Sequence, residues 1–230
     1  MSVPDGARLV LATHNPHKVV ELREIIADVV RDRGMDVDLD RAVIGAGDVP
    51  GLEEPVENGD SFAANALIKA HAVSAATGLP ALADDSGLAV DILGGAPGIF
   101  SARWSGKRAG GADRAAPDRA AQDRANVDLL LEQLHDVLDE HRAAGFVCAA
   151  ALVGPDGLEH VEHGHVRGTL GREPHGDNGF GYDPILVMDD GRTLAEYANA
   201  EKNAISHRGR ALRAIAPRLV DLLVADVSKS

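Results

Sequence analysis

The passage from Arg8 to Val29 constrains the fold most, because a short apolar run turns into a helix there through a polar corner. Arg8-Leu9-Val10-Leu11-Ala12 has the length and composition of a buried strand. In Thr13-His14-Asn15-Pro16-His17-Lys18, Asn15 is a good helix cap and Pro16 a good first helical residue. Val19, Leu22, Ile25, Ile26 and Val29 then recur at helical spacing. The passage reads as strand, polar turn, helix N-terminus. Its unpaired N–H groups, with the hydroxyl, amide and ammonium groups around them, resemble a phosphate cradle. The glycine spacing of a Walker loop is absent, and an ordinary capped helix would have the same signature.

Val37 to Ile44 alternates weakly, as a second strand would, and Gly45 to Asp60 is a loop rich in Gly, Pro and acid. Ser61 to Thr77 has neither Pro nor Gly and is followed by Gly78 and Pro80, which predicts a helix capped by Asp60 or Ser61. Asn65 and Lys69 lie four apart on one face of it. Pro80 to Ala83 predicts a strand, Asp84-Asp85-Ser86-Gly87 a tight turn, and Leu88 to Leu93 a further strand. A stretch over residues 106–123 has no apolar face and reads as a mobile surface insert with solvated charges. A helical stripe resumes from Asn126 to Leu138. Phe146–Val153 and Leu158–Val166 flank Gly154-Pro155-Asp156-Gly157, a hairpin signal. Gly176 to Asp183 reads as a loop, Ile185 to Val187 as a short strand, and His207 to Val224 as an amphipathic helix that Pro217 should kink or restart.

Composition removes several classes of function. A formal charge of −13 disfavours duplex nucleic acid as a partner, since phosphate backbones are bound by clustered Lys and Arg. No apolar run reaches membrane-spanning length and the N-terminus lacks a secretion signal, so the expected compartment is the cytoplasm. The lone Cys148 excludes an intrachain disulfide and sits in an apolar run as a core residue. Of 23 basic residues only 5 are Lys, yet Lys18, Lys69 and Lys202 all fall in motif-like segments. An ammonium is a mobile point charge suited to phosphate or a carbonyl oxygen.

Adjacent carboxylates at the end of a buried strand repel one another unless a cation or donors neutralise them. Asp84 and Asp85 are in that position, and Mg²⁺ bridging to phosphate would relieve them, with Glu57 a candidate further ligand. Phe180-Gly181-Tyr182-Asp183 sets aromatic rings among glycines in a chain with only 3% aromatics, which suits stacking on a base. Lys202, Ser206, His207 and Arg208 are donors just before a helix and fit a purine with oxygen at position 6. His160, His163 and His165, with Glu159 and Glu162, could suggest a transition-metal site but read as a solvated hairpin.

Five segments together carry a resemblance: Ala12-Thr13-His14-Asn15-Pro16-His17-Lys18, Ala83-Asp84-Asp85-Ser86-Gly87-Leu88, the stretch from Gly94 to Arg103, Gly179-Phe180-Gly181-Tyr182-Asp183-Pro184, and Ser206-His207-Arg208-Gly209. In this order, over nearly the whole chain, they are similar to the inosine triphosphate pyrophosphatase family. The resemblance implies an elongated α/β fold of two lobes around a long mixed β-sheet flanked by helices, a nucleotide in the cleft between lobes, Mg²⁺ dependence and a homodimer. It makes Asp85 the catalytic base and, with Glu57 as a second candidate, the metal carboxylate. Thr13, His14, Asn15, Pro16, His17, Lys18 and Lys69 become phosphate contacts. Ser86, Phe180, Gly181, Tyr182, Asp183, Lys202, His207 and Arg208 become nucleotide contacts. The chain departs from the family's common pattern at His14, at Ala64 and in Glu57-Asn58-Gly59-Asp60.

The expected activity is hydrolysis of ITP, dITP and XTP to a monophosphate and pyrophosphate by a single domain covering residues 1–230. Lys18 and Lys69 would offset charge on the leaving pyrophosphate while a carboxylate orients water toward the α-phosphorus. Two alternatives are a related pyrophosphatase for pyrimidine or modified nucleotides and a nucleotide-binding module without hydrolysis.

Overall fold

The computed structural model describes residues 2–106 and 119–225. Six strands form one mixed sheet in the order β2-β1-β3-β4-β5-β6. They are β1 (Leu9–Leu11), β2 (Val43–Gly45), β3 (Ala81–Val90), β4 (Ala143–Val153), β5 (Glu159–Leu170) and β6 (Leu186–Val187). β1 runs parallel to both β2 and β3, and β6 is antiparallel to β5. The helices are α1 (Pro16–Asp32), α2 (Leu39–Ala42), α3 (Phe62–Thr77), α4 (Arg119–Gln133), α5 (Asn199–Ile205) and α6 (His207–Ala225). The observed class is therefore α/β around a mixed sheet, in agreement with the sequence.

The described residues fall into two compact units. The first holds those up to Asp85, Cys148–Gly164, and those from His207 onward; the second holds those in Ser86–Val147 and His165–Ser206. In the first unit, strand alternation sorts the side chains into two faces. Leu82, Cys148, Ala150 and Leu152 pack with Leu22 and Ile26 of α1 and Leu212, Ile215 and Leu219 of α6. The intervening residues face α3: Ala149 and Ala151 meet Ala66, while Ala83 and Val153 meet Ala70. These small residues let α3 approach the sheet closely. The second unit has its own core, in which Leu88, Leu130, Phe146, Val166, Ile185 and Leu194 are buried together.

Several local expectations hold. Asn15 caps α1, its side chain accepting from the His17 N–H at 3.0 Å. Ser61 caps α3, which ends at Gly78. The hairpin turn is closed by Gly154 N–H donating to Leu158 O at 2.8 Å.

Other expectations are corrected. Residues 39–42 form one helical turn rather than a strand, because the Asp38 carboxylate accepts from Arg41 N–H and starts a helix. Asp84-Asp85-Ser86-Gly87 is not a turn; it lies in the middle of the continuous strand β3. Arg119–Asp123, assigned to the surface insert, open helix α4, and residues 107–118 of that insert lie outside the described residues. Of the two outcomes expected at Pro217, the restart does not occur, since α6 runs as one helix through it. The short helix α5 was not anticipated; Glu201 folds back to accept from Ala198 N–H at 3.1 Å and closes its first turn.

Leu22 is fully buried between α1 and the α6 face of the sheet. Leu22→Ala should destabilise the protein by about 2–5 kcal/mol, measured as a lower urea midpoint with unchanged slope.

Candidate active site

β3 delivers its two adjacent carboxylates to opposite faces of the sheet. Asp84 turns toward α1 and α6, where Lys18 Nζ lies 3.1 Å from both of its oxygens and Arg208 Nε donates to Oδ2 at 3.1 Å. Asp85 turns toward α3, where Asn65 Nδ2 donates to Oδ2 at 3.0 Å and Lys69 Nζ stands 3.8 Å from Oδ1. The repulsion inferred from the sequence is thus relieved by strand alternation, and the two groups have different surroundings.

Asp84 has a side chain only 6% exposed. Burial alone would raise its pKa, but the opposing fields of Arg208, Lys18 and Lys69, in that order, hold the carboxyl far below the usual range. At neutral pH it is an anion whose oxygens are committed to cations, which suits it to holding Lys18 and Arg208 rather than to accepting a proton.

Arg208 reaches Asp84 because α6 starts unusually close to the sheet. Gly164 of β5 lies beneath its first turn, where a Cβ would stand 2.0 Å from His207 O and 2.5 Å from Ala211 N. Only a residue without a side chain permits that approach. Burial lowers the Arg208 pKa, but Asp84, with Glu21 adding to it, leaves the net shift upward.

Lys69 also meets Glu57, at 2.9 Å. An open pocket of about 190 Å³ beside these groups is lined by Thr13, His14, Lys18, Glu57, Lys69 and Asp84, among others. Its wall also carries Glu53 and Glu54, with Glu54 Oε1 2.9 Å from His14 Nδ1. Carboxylates therefore outnumber ammonium groups on this wall. Glu57 and Asp85, both against Lys69, offer the hard oxygen donors that Mg²⁺ takes, and that ion needs only one or two carboxylates when phosphate supplies further oxygens. The residues fit such an ion. Thr13, His14, Asn15 and Pro16 also line a neighbouring depression, and His17 is exposed on the first turn of α1.

In the second unit Lys202 Nζ lies 2.5 Å from Asp183 Oδ2 and 4.9 Å from the centre of the Phe180 ring. Burial pushes the Asp183 carboxyl upward against the pull of Lys202 and the Phe180 N–H. Phe180 exposes 54% of its surface, whereas Tyr182 is buried and its hydroxyl donates to Ser101 O at 2.9 Å. Phe180 therefore offers a stacking face, while Tyr182 is core. Gly181 N–H donates to Asp123 Oδ2 at 3.0 Å, so one charge of the expected insert holds this loop instead of being merely solvated. Ser86 lies on β3 at the start of this unit, whereas His207 and Arg208 belong to the first.

Sequence reasoning did not single out Asn65 or Asp84 in these roles. The four-residue spacing of Asn65 and Lys69 was the available signal, but their target became visible only once β3 passed beside α3. Within the histidine cluster, His160 Nε2 meets Glu162 at 2.8 Å, and Glu159 is taken up by His71 of α3 at 2.8 Å. Among the described residues no group of three or more His, Cys, Asp or Glu side chains could hold a metal ion by itself.

Replacing Asp84 by Asn removes the one carboxylate that both cations contact and leaves only the field of Glu21 to oppose them. Asp84→Asn should cost about 3–5 kcal/mol of stability at neutral pH, read by urea unfolding. Because the folded pKa of Asp84 is depressed, its stabilisation is complete above the ordinary aspartate pKa of 3.8 and is lost only as pH falls toward the depressed value. The gap between wild type and variant should therefore narrow only in strong acid.

Known proteins similar to this chain over nearly its whole length show its family. Residues 9–218 match the model of the Ham1 family. A dITP/XTP pyrophosphatase of Streptomyces avermitilis is 54% identical over 217 residues, covering 94% of this chain and 98% of the relative. One from Frankia alni is 52% identical over 219 residues, covering 95% of this chain and all of the relative. The structure of a HAM1 protein from Coxiella burnetii superposes with a TM-score of 0.76 at 38% identity, covering 94% of this chain and 99% of that one. The nucleoside-triphosphatase / dITP/XTP pyrophosphatase from Mycobacterium abscessus gives 0.71 at 46% identity, covering 92% and 99%. With the motifs in order and the match running almost from end to end, the chain belongs to the Ham1 family.

Proposed function

We propose that this protein hydrolyses non-canonical purine nucleoside triphosphates, dITP, ITP and XTP, to the monophosphate and pyrophosphate, and so clears deaminated purines from the nucleotide pool. The carrying observation is the cluster on the α3 face, where Asp85 is held between Asn65 and Lys69 beside Glu57. Relatives named dITP/XTP pyrophosphatase at about half identity support the substrate class.

Asp85 orients a water molecule and takes its proton as the water oxygen bonds to the α-phosphorus. The α–β anhydride bond breaks and the electron pair leaves with pyrophosphate. Lys69 and Lys18 offset the negative charge that builds on the leaving group. Lys18 is presented by Asp84, whose two oxygens fix its ammonium at the pocket wall. Glu57 and Asp85 would hold Mg²⁺, which supplies the positive charge that a wall rich in carboxylates lacks for a polyanion. No covalent enzyme intermediate is needed, since positioning and charge stabilisation suffice.

In the second unit Lys202 has three donors and Asp183 uses one, so the others suit a 6-oxo purine. The exposed Phe180 ring suits stacking on the base. By the same resemblance the enzyme works in the cytoplasm as a homodimer, which sedimentation would check.

Product analysis with inosine, xanthine, guanosine and adenosine triphosphates tests the reading. Pyrophosphate should appear with Mg²⁺ and stop with chelator; release of single phosphate, or a preference for pyrimidine nucleotides, would refute it. Asp85→Asn should lower kcat by about 100-fold or more while binding changes little, and normal turnover would remove the assignment. Lys202→Ala should erode the preference for inosine over adenosine triphosphate, visible as a smaller ratio of kcat/KM values.

A further inference from the structure

Resting on the function proposed above, we propose that Asn65 is a positioning residue that aims the Asp85 carboxylate and locks the Glu57 loop to it. Asn65 is 1% exposed. Its amide is used at both ends: Nδ2 donates to Asp85 Oδ2 at 3.0 Å, and Oδ1 accepts from Gly59 N–H at 2.8 Å. A carboxylate can only accept and a peptide N–H can only donate, so these partners fix which way the amide faces. The carboxylate of Asp85 is thereby held by Asn65 at one oxygen, with Lys69, one helical turn further along α3, beside the other.

The other end of the amide explains why the loop comes so near. A Cβ on Gly59 would stand 2.7 Å from Ala64 Cβ and 2.8 Å from Asn65 Oδ1. A side chain there would push the loop off the helix, and Glu57 lies two residues away on that loop. One buried amide thus sets the position of both carboxylates that flank Lys69. Any amide reaching Gly59 N–H would anchor the loop; the donor pointed at Asp85 is what adds control of the reacting water.

Asn65→Asp separates these two jobs. Its carboxylate still accepts from Gly59 N–H, but the donor to Asp85 is replaced by an acceptor of like charge. The expected result is a folded protein with a lowered thermal midpoint, because a carboxylate is added at a buried position beside Asp85, a kcat for dITP lower by about 100-fold, and a KM within about threefold. Asn65→Leu, close in shape and uncharged, serves if the added charge prevents folding, and should show the same loss of kcat. A folded variant that keeps kcat, or one in which only KM rises, overturns the proposal. A crystal structure of Asn65→Leu gives a readout independent of turnover: Asp85 should leave its wild-type rotamer, and an unmoved carboxylate overturns the proposal. If wild type releases no pyrophosphate from any purine triphosphate, the proposed function fails and the Asp85 rotamer alone decides the role of Asn65.

Discussion

Asp84 is an anion almost without water, placed where three parts of the chain meet. Lys18 comes from the first turn of α1, Arg208 from the first turn of α6, and the carboxylate from the middle of β3. A buried charge of this kind is tolerated only with close opposite charges, so each of these segments has one acceptable position. The two helices that supply the cations also share the core on that face of the sheet, where Leu22 and Ile26 pack with Leu212, Ile215 and Leu219. Apolar burial brings the helices together, and the ion cluster sets their first turns relative to β3.

This arrangement gives two neighbouring aspartates different chemistry. Asp84 is pinned by cations and kept ionised. Asp85, one residue on, meets an amide and an ammonium from α3, with Glu57 on the far side of that ammonium. The division follows from the period of two along a strand. It also leaves Lys18 and Lys69 on one pocket wall although their carboxylate partners lie on opposite faces. The second unit uses a similar device on a smaller scale, with Asp183 buried against Lys202 and also receiving the Phe180 N–H. There the carboxylate organises a loop whose exposed ring is Phe180.

Much of the site was legible before any coordinates. The cap at Asn15, the helix from Ser61 to Gly78 and the hairpin around Pro155 depend on local rules that act over a few residues, and the structure keeps all three. Lys18, Lys69 and Lys202 stood out because the chain uses lysine so sparingly, and each is found against a buried or half-buried carboxylate. Asp-Asp-Ser-Gly was misread because two adjacent acids and a glycine have the composition of a turn. Its strand conformation belongs to a long β3 that pairs with β1 at Ala81 and Leu82 and neighbours β4 on its other side, and no local window contains those partners. Tyr182 and Asp123 were misplaced for the same reason, since their partners Ser101 and Gly181 are distant in sequence.

The sequence by itself determined the inventory: the longer helices and the central hairpin, the caps, the carboxylates and ammonium groups available, and the family to which their order points. Tertiary structure decided which acid does what. Strand alternation sends Asp84 and Asp85 to opposite faces, and helix packing determines which cations and amides wait there. Electrostatic roles depend on distances of a few ångströms between residues as far apart in the chain as Asp84 and Arg208, and such distances exist only once the core has closed.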